Sequence, residues 1–528
     1  MAKRFATVFF ITIGIALACV VVFAMVLFLA PGFSVFGIKY IAKGTHIVTK
    51  NATITSPNSI RVEVDEVPIQ VVFSQKYAFS VEYYDNYNGL TSSKIDDPSI
   101  SISEEKDGTT VIKVTSFKKF IYENNNSVRY IKITMPSAAV GGIRQGQNKF
   151  TVLSKSASVT FSKEVTDNYN PKFKNLKIES SGKIKTLTSV ATENYELKTI
   201  NSILITKDET ESINAKNYYL TSTGGKIVVQ RDVEGDISAK TKNARIQILS
   251  CNNFTADSGF GDIYSADKEK GITVNGKANI STTAGVVDID SILGSVEKSE
   301  IQTKTGNVQI KKVYDLNLTT TRGFVKIVSG RNLSVTTSSG SINVESASEA
   351  IKAKSKRGKI TLGGDNGVLY NATVESTYGD VSVTSASGTT KIDTIKADVL
   401  FINNNSSNIT INAGGNLTAD KLIGAVNVNV EGDATLSFKS FTQKSTIVGK
   451  KENSIITINL LNNEIKTFSY NLEGKDAFLI EYNANDPENS RQAEKSTNLT
   501  SSIEMVGKPL LTATNVGKLV VNFKSENN

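Results

Sequence analysis

Through the middle of the chain, apolar and polar residues alternate in short runs that break at a fixed point. The recurring template is apolar-x-apolar-x-Ser/Thr-x-x-Gly-x-Ile/Val-x-Ile/Val/Leu. One copy is Ala278, Ile280, Thr282, Gly285, Val287, Ile289. Others are Leu316, Leu318, Thr320, Gly323, Val325, Ile327 and Leu333, Val335, Thr337, Gly340, Ile342, Val344. Two more are Ile351, Ala353, Ser355, Gly358, Ile360, Leu362 and Ala372, Val374, Ser376, Gly379, Val381, Val383. The copy at Gly306 keeps Ile301, Thr303, Val308 and Ile310. Strict alternation makes each half a strand with one buried face, whereas a helix would repeat every 3.6 residues. The glycine falls where the chain must turn between the halves.

The glycines at 285, 306, 323, 340, 358 and 379 are 21, 17, 17, 18 and 21 residues apart. Two short strands at this spacing suit one coil of a β-solenoid, in which each coil buries its apolar side only by stacking on its neighbours. Weaker copies extend the array at Gly225, Gly261 and Ala244 upstream and at Gly424 downstream, where Leu417, Ala419, Lys421, Val426 and Val428 fill the other slots. The earliest copy is Phe150, Val152, Ser154, Ala157, Val159, Phe161. About a dozen coils would give a rod of order 60 Å at about 4.8 Å per strand. By parity the hydroxyls of Thr282, Thr303, Thr320, Thr337, Ser355 and Ser376 point inward, where they can bond the backbone of the turn. If the glycine slots hold positive φ, valine there would add strain of about 1–3 kcal/mol.

Ahead of the array, residues 5–30 carry no charge, and Lys3 and Arg4 precede them. At about 1.5 Å per residue the run spans a hydrocarbon core of about 30 Å. Basic residues before the span predict a single-pass anchor in the cytoplasmic membrane, with residues 1–4 inside and the bulk outside. A cleaved signal peptide is the rival reading, although its apolar core is usually only about 7–15 residues. The remaining organisation reads as a linker over 31–44 with a short stalk at Lys39–Thr45, an N-terminal β region over 45–140 without visible repeats, the solenoid over 145–430, and a C-terminal β cap over 431–528. Pro136 would end a strand just before the solenoid, and the polar stretch Asn483–Thr500 reads as a loop.

Composition removes most chemistry. The 528 residues include one histidine, His46, two cysteines, Cys19 and Cys251, and no tryptophan. Cys19 lies in the apolar run, so no disulfide framework and no cysteine metal site is expected, and Cys251 reads as a small buried apolar residue. No triad, zinc cluster or phosphate loop is legible. Asp288 and Asp290 share one strand face and could flank a cation or a glycosidic bond, but two carboxylates alone do not make a site. The formal net charge of +9 is spread along the chain, unlike the basic stripe of a nucleic-acid binder. No catalytic residue, cofactor or metal is therefore expected.

The Thr-x-x-Gly-x-Val-x-Ile units, preceded by Ile133-Thr134-Met135-Pro136, resemble the bacterial adhesin-type β-strand-repeat domains, a family of unknown function, over about Thr45–Val428. The resemblance implies a β-solenoid protein of the cell envelope and carries no active site. The expectation is an all-β solenoid of 17–21-residue coils behind one transmembrane helix, presenting a binding or adhesive surface to an extracellular or envelope ligand, protein or glycan. A structural or sensing component of the envelope is the alternative. A polysaccharide-active β-helix enzyme is a third possibility.

Overall fold

The computed structural model describes residues 2–29, 34–35, 38–52, 59–74, 79–92, 99–115, 122–123, 128–136, 149–163, 173–187, 190–206, 215–267, 269–294, 296–364, 367–403, 405–482, 491–501 and 507–525. Contacts divide the chain into two compact units, Met1–Gly235 and Asp236–Asn528. One helix, Ala2–Leu29, is followed almost entirely by strands. Its segment Ala6–Val26 is the one stretch among the described residues that is long and apolar enough to cross a membrane.

In the second unit, successive coils pair in parallel and in register, which places identical template slots in columns. Ile280, Ile301, Leu318, Val335, Ala353, Val374, Ile392 and Ile411 lie side by side in the first-strand column. Val287, Val308, Val325, Ile342, Ile360, Val381 and Val399 form the second. Every one of these side chains is buried. Stacking apolar residue on apolar residue, with neighbouring strands about 4.8 Å apart, gives the coils a continuous buried interior. A third inward column, Val313, Gly330, Ala347, Leu369 and Ala386, gives these coils an additional side that the template does not contain.

The first unit has the same construction, and it corrects the expected boundary at residue 145. Ile60, Phe150, Leu176, Tyr195 and Tyr218 form one parallel column, and Ile69, Val159, Ile184, Ile203 and Ile227 form another. The coil Ser59–Val64/Ile69–Ser74 therefore belongs to the stack. Spatial order departs from chain order here, because that coil lies between Lys149–Ser154/Val159–Lys163 on one side and Thr109–Thr115/Val128–Pro136 on the other. Pro136 does end its strand, but the coil it closes is already part of the stack. Antiparallel strands finish this unit: Ser99–Glu104 on Thr109–Thr115, Phe79–Ser92 on Val128–Pro136, and Ile38–Ala52 on Phe79–Ser92. The expected stalk at Lys39–Thr45 is thus a paired strand.

At the C-terminal side, parallel stacking continues past residue 430 through Ala434–Phe438, Ser445–Gly449, Ile455–Glu464 and Leu510–Lys524. The cap proper is Ser469–Tyr482, covered by the antiparallel strand Arg491–Thr500. The expected loop at Asn483–Thr500 is corrected accordingly over 491–500, and residues 483–490 lie outside the described residues. The strand reads as polar because it closes the end of the sheet, with only Leu499 buried among the side chains described in it and Lys495 and Glu494 exposed, which blunts edge-to-edge pairing.

Candidate binding surface

The residues that the template singles out serve the interior. Thr282, Thr303, Thr320, Thr337, Ser355 and Ser376 are all buried. The hydroxyl oxygens of Thr282, Thr320 and Ser355 accept the backbone N–H of Gly285, Gly323 and Gly358 at 3.0, 3.0 and 2.8 Å. Thr303 and Thr337 donate to the carbonyls of Gly306 and Gly340 at 3.0 and 2.6 Å, and Ser376 donates to that of Gly379. Ser222 and Ser258 do the same at Gly225 and Gly261, both at 2.7 Å. Each hydroxyl satisfies a turn group that would otherwise be buried without a partner.

The glycines are needed for closeness, not for φ. Positive φ among glycines occurs at Gly108, Gly363, Gly388 and Gly507 of the described residues, and at none of the template slots. A Cβ built on Gly285, Gly306, Gly323, Gly340 or Gly358 would instead lie 1.9–2.0 Å from the carbonyl oxygen of the preceding column member. The strain expected from a left-handed backbone is replaced by a direct steric exclusion. Gly424 is a second correction. Its segment Leu417–Leu422 pairs with Val399–Ile402, and Ala425–Val430 pairs with Asn405–Ala413, so this copy is half a coil out of phase and Gly424 occupies another corner. Lys421, with φ +57, bulges outward, and Leu422 takes the inward place.

The residue after the glycine slot carries a function that the template missed. Asp262 and Asn307 accept the N–H of Val286 and Phe324 in the next coil at 3.0 and 2.9 Å. Further along, Asp398, Asn416 and Asp433 accept from Asn416, Asp433 and Ile455 at 2.7, 3.0 and 2.9 Å. These Asp and Asn side chains at the turns thus tie each coil to the next.

The chemical candidates are accounted for similarly. Lys311 Nζ lies 2.7 Å from Asp290 Oδ1, and its pKa is raised by that hydrogen bond and by the nearby charges of Asp290 and Asp288, so the carboxylates are matched by a lysine. His46 sits in the strand Ile38–Ala52 opposite Asp85. Cys251 is buried in the wall, and burial pushes its thiol up to about 12. Among the described residues, no group of three or more His, Cys, Asp or Glu side chains is arranged to hold a metal ion.

Outward faces carry neutral polar residues such as Asn279, Thr319, Thr336 and Asn343 together with charge pairs between coils, including Lys326–Glu345 at 3.4 Å, Lys354–Glu375 at 2.7 Å and Lys240–Asp257 at 2.9 Å. Such exposed pairs contribute little stability, about 0–1 kcal/mol each, and keep the surface wet. One region differs. Directly after the third inward column come Tyr314, Arg331, Ser348 and Tyr370, one from each successive coil. They border a groove of about 480 Å³ with Lys312 and Val368. Val368 is 57% exposed and Tyr370 46%. Gly388, with φ +70, lies beside Tyr370, and a Cβ there would come 2.7 Å from Asn371 Oδ1 and 3.3 Å from two ring carbons.

Beneath the groove, the Asp315 carboxylate is buried and accepts from the Arg331 guanidinium and from Asn332 Nδ2 at 2.9 Å. Burial alone would raise the Asp315 pKa, but the bonds from Arg331 and Asn332 outweigh it and hold the group below the usual carboxylate range. A carboxyl depressed in the folded state contributes stability above its unfolded pKa of about 3.9 and loses that contribution as pH falls through its lower folded value. The stability gap between wild type and Asp315→Asn is therefore expected to be constant near neutrality and to shrink below about pH 4. Urea melts over that range check this; a gap that widens with acid would contradict it.

No family model matches the chain, and no curated protein matches it. Two solved structures are similar. A "putative cell adhesion protein" from Clostridium sporogenes is 8% identical, covers 52% of this chain and 100% of its own, and has a TM-score of 0.21. A "putative adhesin" from Parabacteroides distasonis is 12% identical, covers 78% of this chain and 96% of its own, and has a TM-score of 0.16. Scores this low assign this chain neither a fold nor a function.

Proposed function

We propose that the chain is held in the cytoplasmic membrane by residues 5–30, exposes its β-coils outside the cell, and presents a binding or adhesive surface without catalysis. The observation that carries this reading is the aromatic and apolar groove at Tyr314, Val368 and Tyr370, bordered by Lys312 and Arg331. Exposed apolar patches with polar rims mark interaction sites. A polysaccharide-cleaving site would instead call for carboxylates poised on a sugar bond, and Lys311 engages the best-placed pair. Lys3 and Arg4 ahead of the apolar helix support the inside-to-outside orientation.

Two measurements on cells displaying the full chain test this. Protease added to intact protoplasts is expected to degrade almost the whole chain and leave only the anchor of residues 5–30; survival of the Gly285–Gly379 region would reverse the orientation. Cells carrying the chain are expected to adhere to immobilised envelope material more than cells lacking it, and equal adherence would remove the adhesive role.

A further inference from the structure

The groove has a polarity that narrows its ligand. Tyr314 is flanked by two cations: Lys312 Nζ lies 5.7 Å and the Arg331 guanidinium carbon 5.6 Å from its ring centroid. Tyr314 thus holds the cations in place through its ring and offers less free face. Arg331 is oriented from behind by Asp315, and Glu349 lies 3.9 Å from its Nε. Lys312 has no carboxylate within 4.0 Å among the described residues, so its charge is left for a ligand. Tyr370, backed by Gly388 and half-exposed, supplies the flat apolar face. Ser329, Ser346 and Ser348 line the groove between the two tyrosines, with the Ser329 and Ser346 hydroxyls donating to the carbonyls of Lys311 and Val328 at 3.1 Å.

We propose that this groove takes an acidic saccharide, with a sugar ring stacked on Tyr370 and a carboxylate or phosphate of the glycan held by Lys312 and Arg331. The proposal rests on the reading of the chain as a binding protein and supplies the ligand class. A neutral glycan would use the ring but leave Lys312 unmatched. The stretch from Tyr314 to Tyr370 spans three strand spacings, about 14 Å, which suits an extended oligomer lying along the stack.

The test uses the full chain in lipid nanodiscs with two probes, an oligogalacturonide and an uncharged glucose oligomer of equal length. The uronate oligomer is expected to bind at least about tenfold more tightly than the neutral one. Tyr370→Ala and Lys312→Ala should each weaken it by about tenfold, Tyr370→Phe should retain binding, and melting should be unchanged in all three. Added salt should weaken the wild type more than Lys312→Ala, because the attraction is screened. Equal binding of both oligomers, or an unaltered affinity in Tyr370→Ala, overturns the proposal. If Tyr370→Ala abolishes cell attachment while neither oligomer binds, the saccharide assignment falls and the binding role stands. If the uronate binds through Tyr370 but attachment is indifferent to it, the site stands and the adhesive role falls.

Discussion

Replacing Gly323 with alanine is expected to destabilise the second unit by about 3 kcal/mol, at the upper end of ordinary overpacking. The new Cβ would sit 1.9 Å from the Gly306 carbonyl oxygen, and relief requires the two coils to part. Parting them stretches the parallel ladder Val308–Thr320/Val325–Thr337, and each backbone hydrogen bond weakened there removes about 1 kcal/mol. The same chain contains its own control. A Cβ on Gly364 meets nothing nearer than 3.6 Å, so Gly364→Ala should change stability by no more than about 0.5 kcal/mol. Denaturant melts of the two variants check the contrast, and similar losses at both sites would mean that steric exclusion between coils is not what the glycines provide.

Truncation of Phe150 to alanine is expected to cost about 3–5 kcal/mol in the first unit. The ring is fully buried and packs 5.5 Å from Phe161 and 5.2 Å from Phe173, so its loss opens a cavity shared by two adjacent coils. Because each coil touches mainly its neighbours, the damage should be local: amide exchange should accelerate in Ser59–Val64, Lys149–Ser154 and Phe173–Glu179 well before the C-terminal cap is affected. Thr151→Ala, one position along and facing out, should stay within about 0.5 kcal/mol. Uniform exchange across the whole chain would show that the coils do not behave as semi-independent layers.

What was legible in the sequence follows from which contacts repeat. The coils at Gly285–Gly379 announce themselves because glycine and hydroxyl recur at the same turn. The coil at 59–74 has the same apolar spacing, Ile60, Val62, Ile69 and Val71, but Val64 stands in the hydroxyl slot and buried Val67 in the glycine slot, so the turn signature is gone while the alternation survives. The coils at 173–187 and 191–206 turn one residue earlier, with Ser180 bonding Gly182 N–H and Thr199 bonding Asn201 N–H, which shifts the second strand out of the template. Gly424 was misplaced because the two halves of a coil are alike, and alternation alone fixes their phase only to half a turn. Strand Arg491–Thr500 lacked an apolar stripe because an end strand buries almost nothing.

The proposed binding surface was not legible at all. Tyr314, Arg331 and Tyr370 lie on the third side of the coil, where chain lengths vary, and their convergence depends on the register of four strands. Only the exposed aromatics themselves could have been noticed, and the chain has 17 tyrosines. Sequence periodicity reports the buried face, which repeats; the outward face is free to differ at each coil.

The most direct measurement of the whole account compares attachment with melting for Tyr370→Ala and Ile342→Ala in cells displaying the full chain. Ile342 is a buried member of the second column, and its truncation should lower stability by about 2–5 kcal/mol and reduce attachment only as far as folding is lost. Tyr370→Ala should reduce attachment sharply while the melting transition stays where it is in the wild type. Attachment that survives Tyr370→Ala and falls only in step with unfolding would contradict the account, and would leave the coils as a spacer.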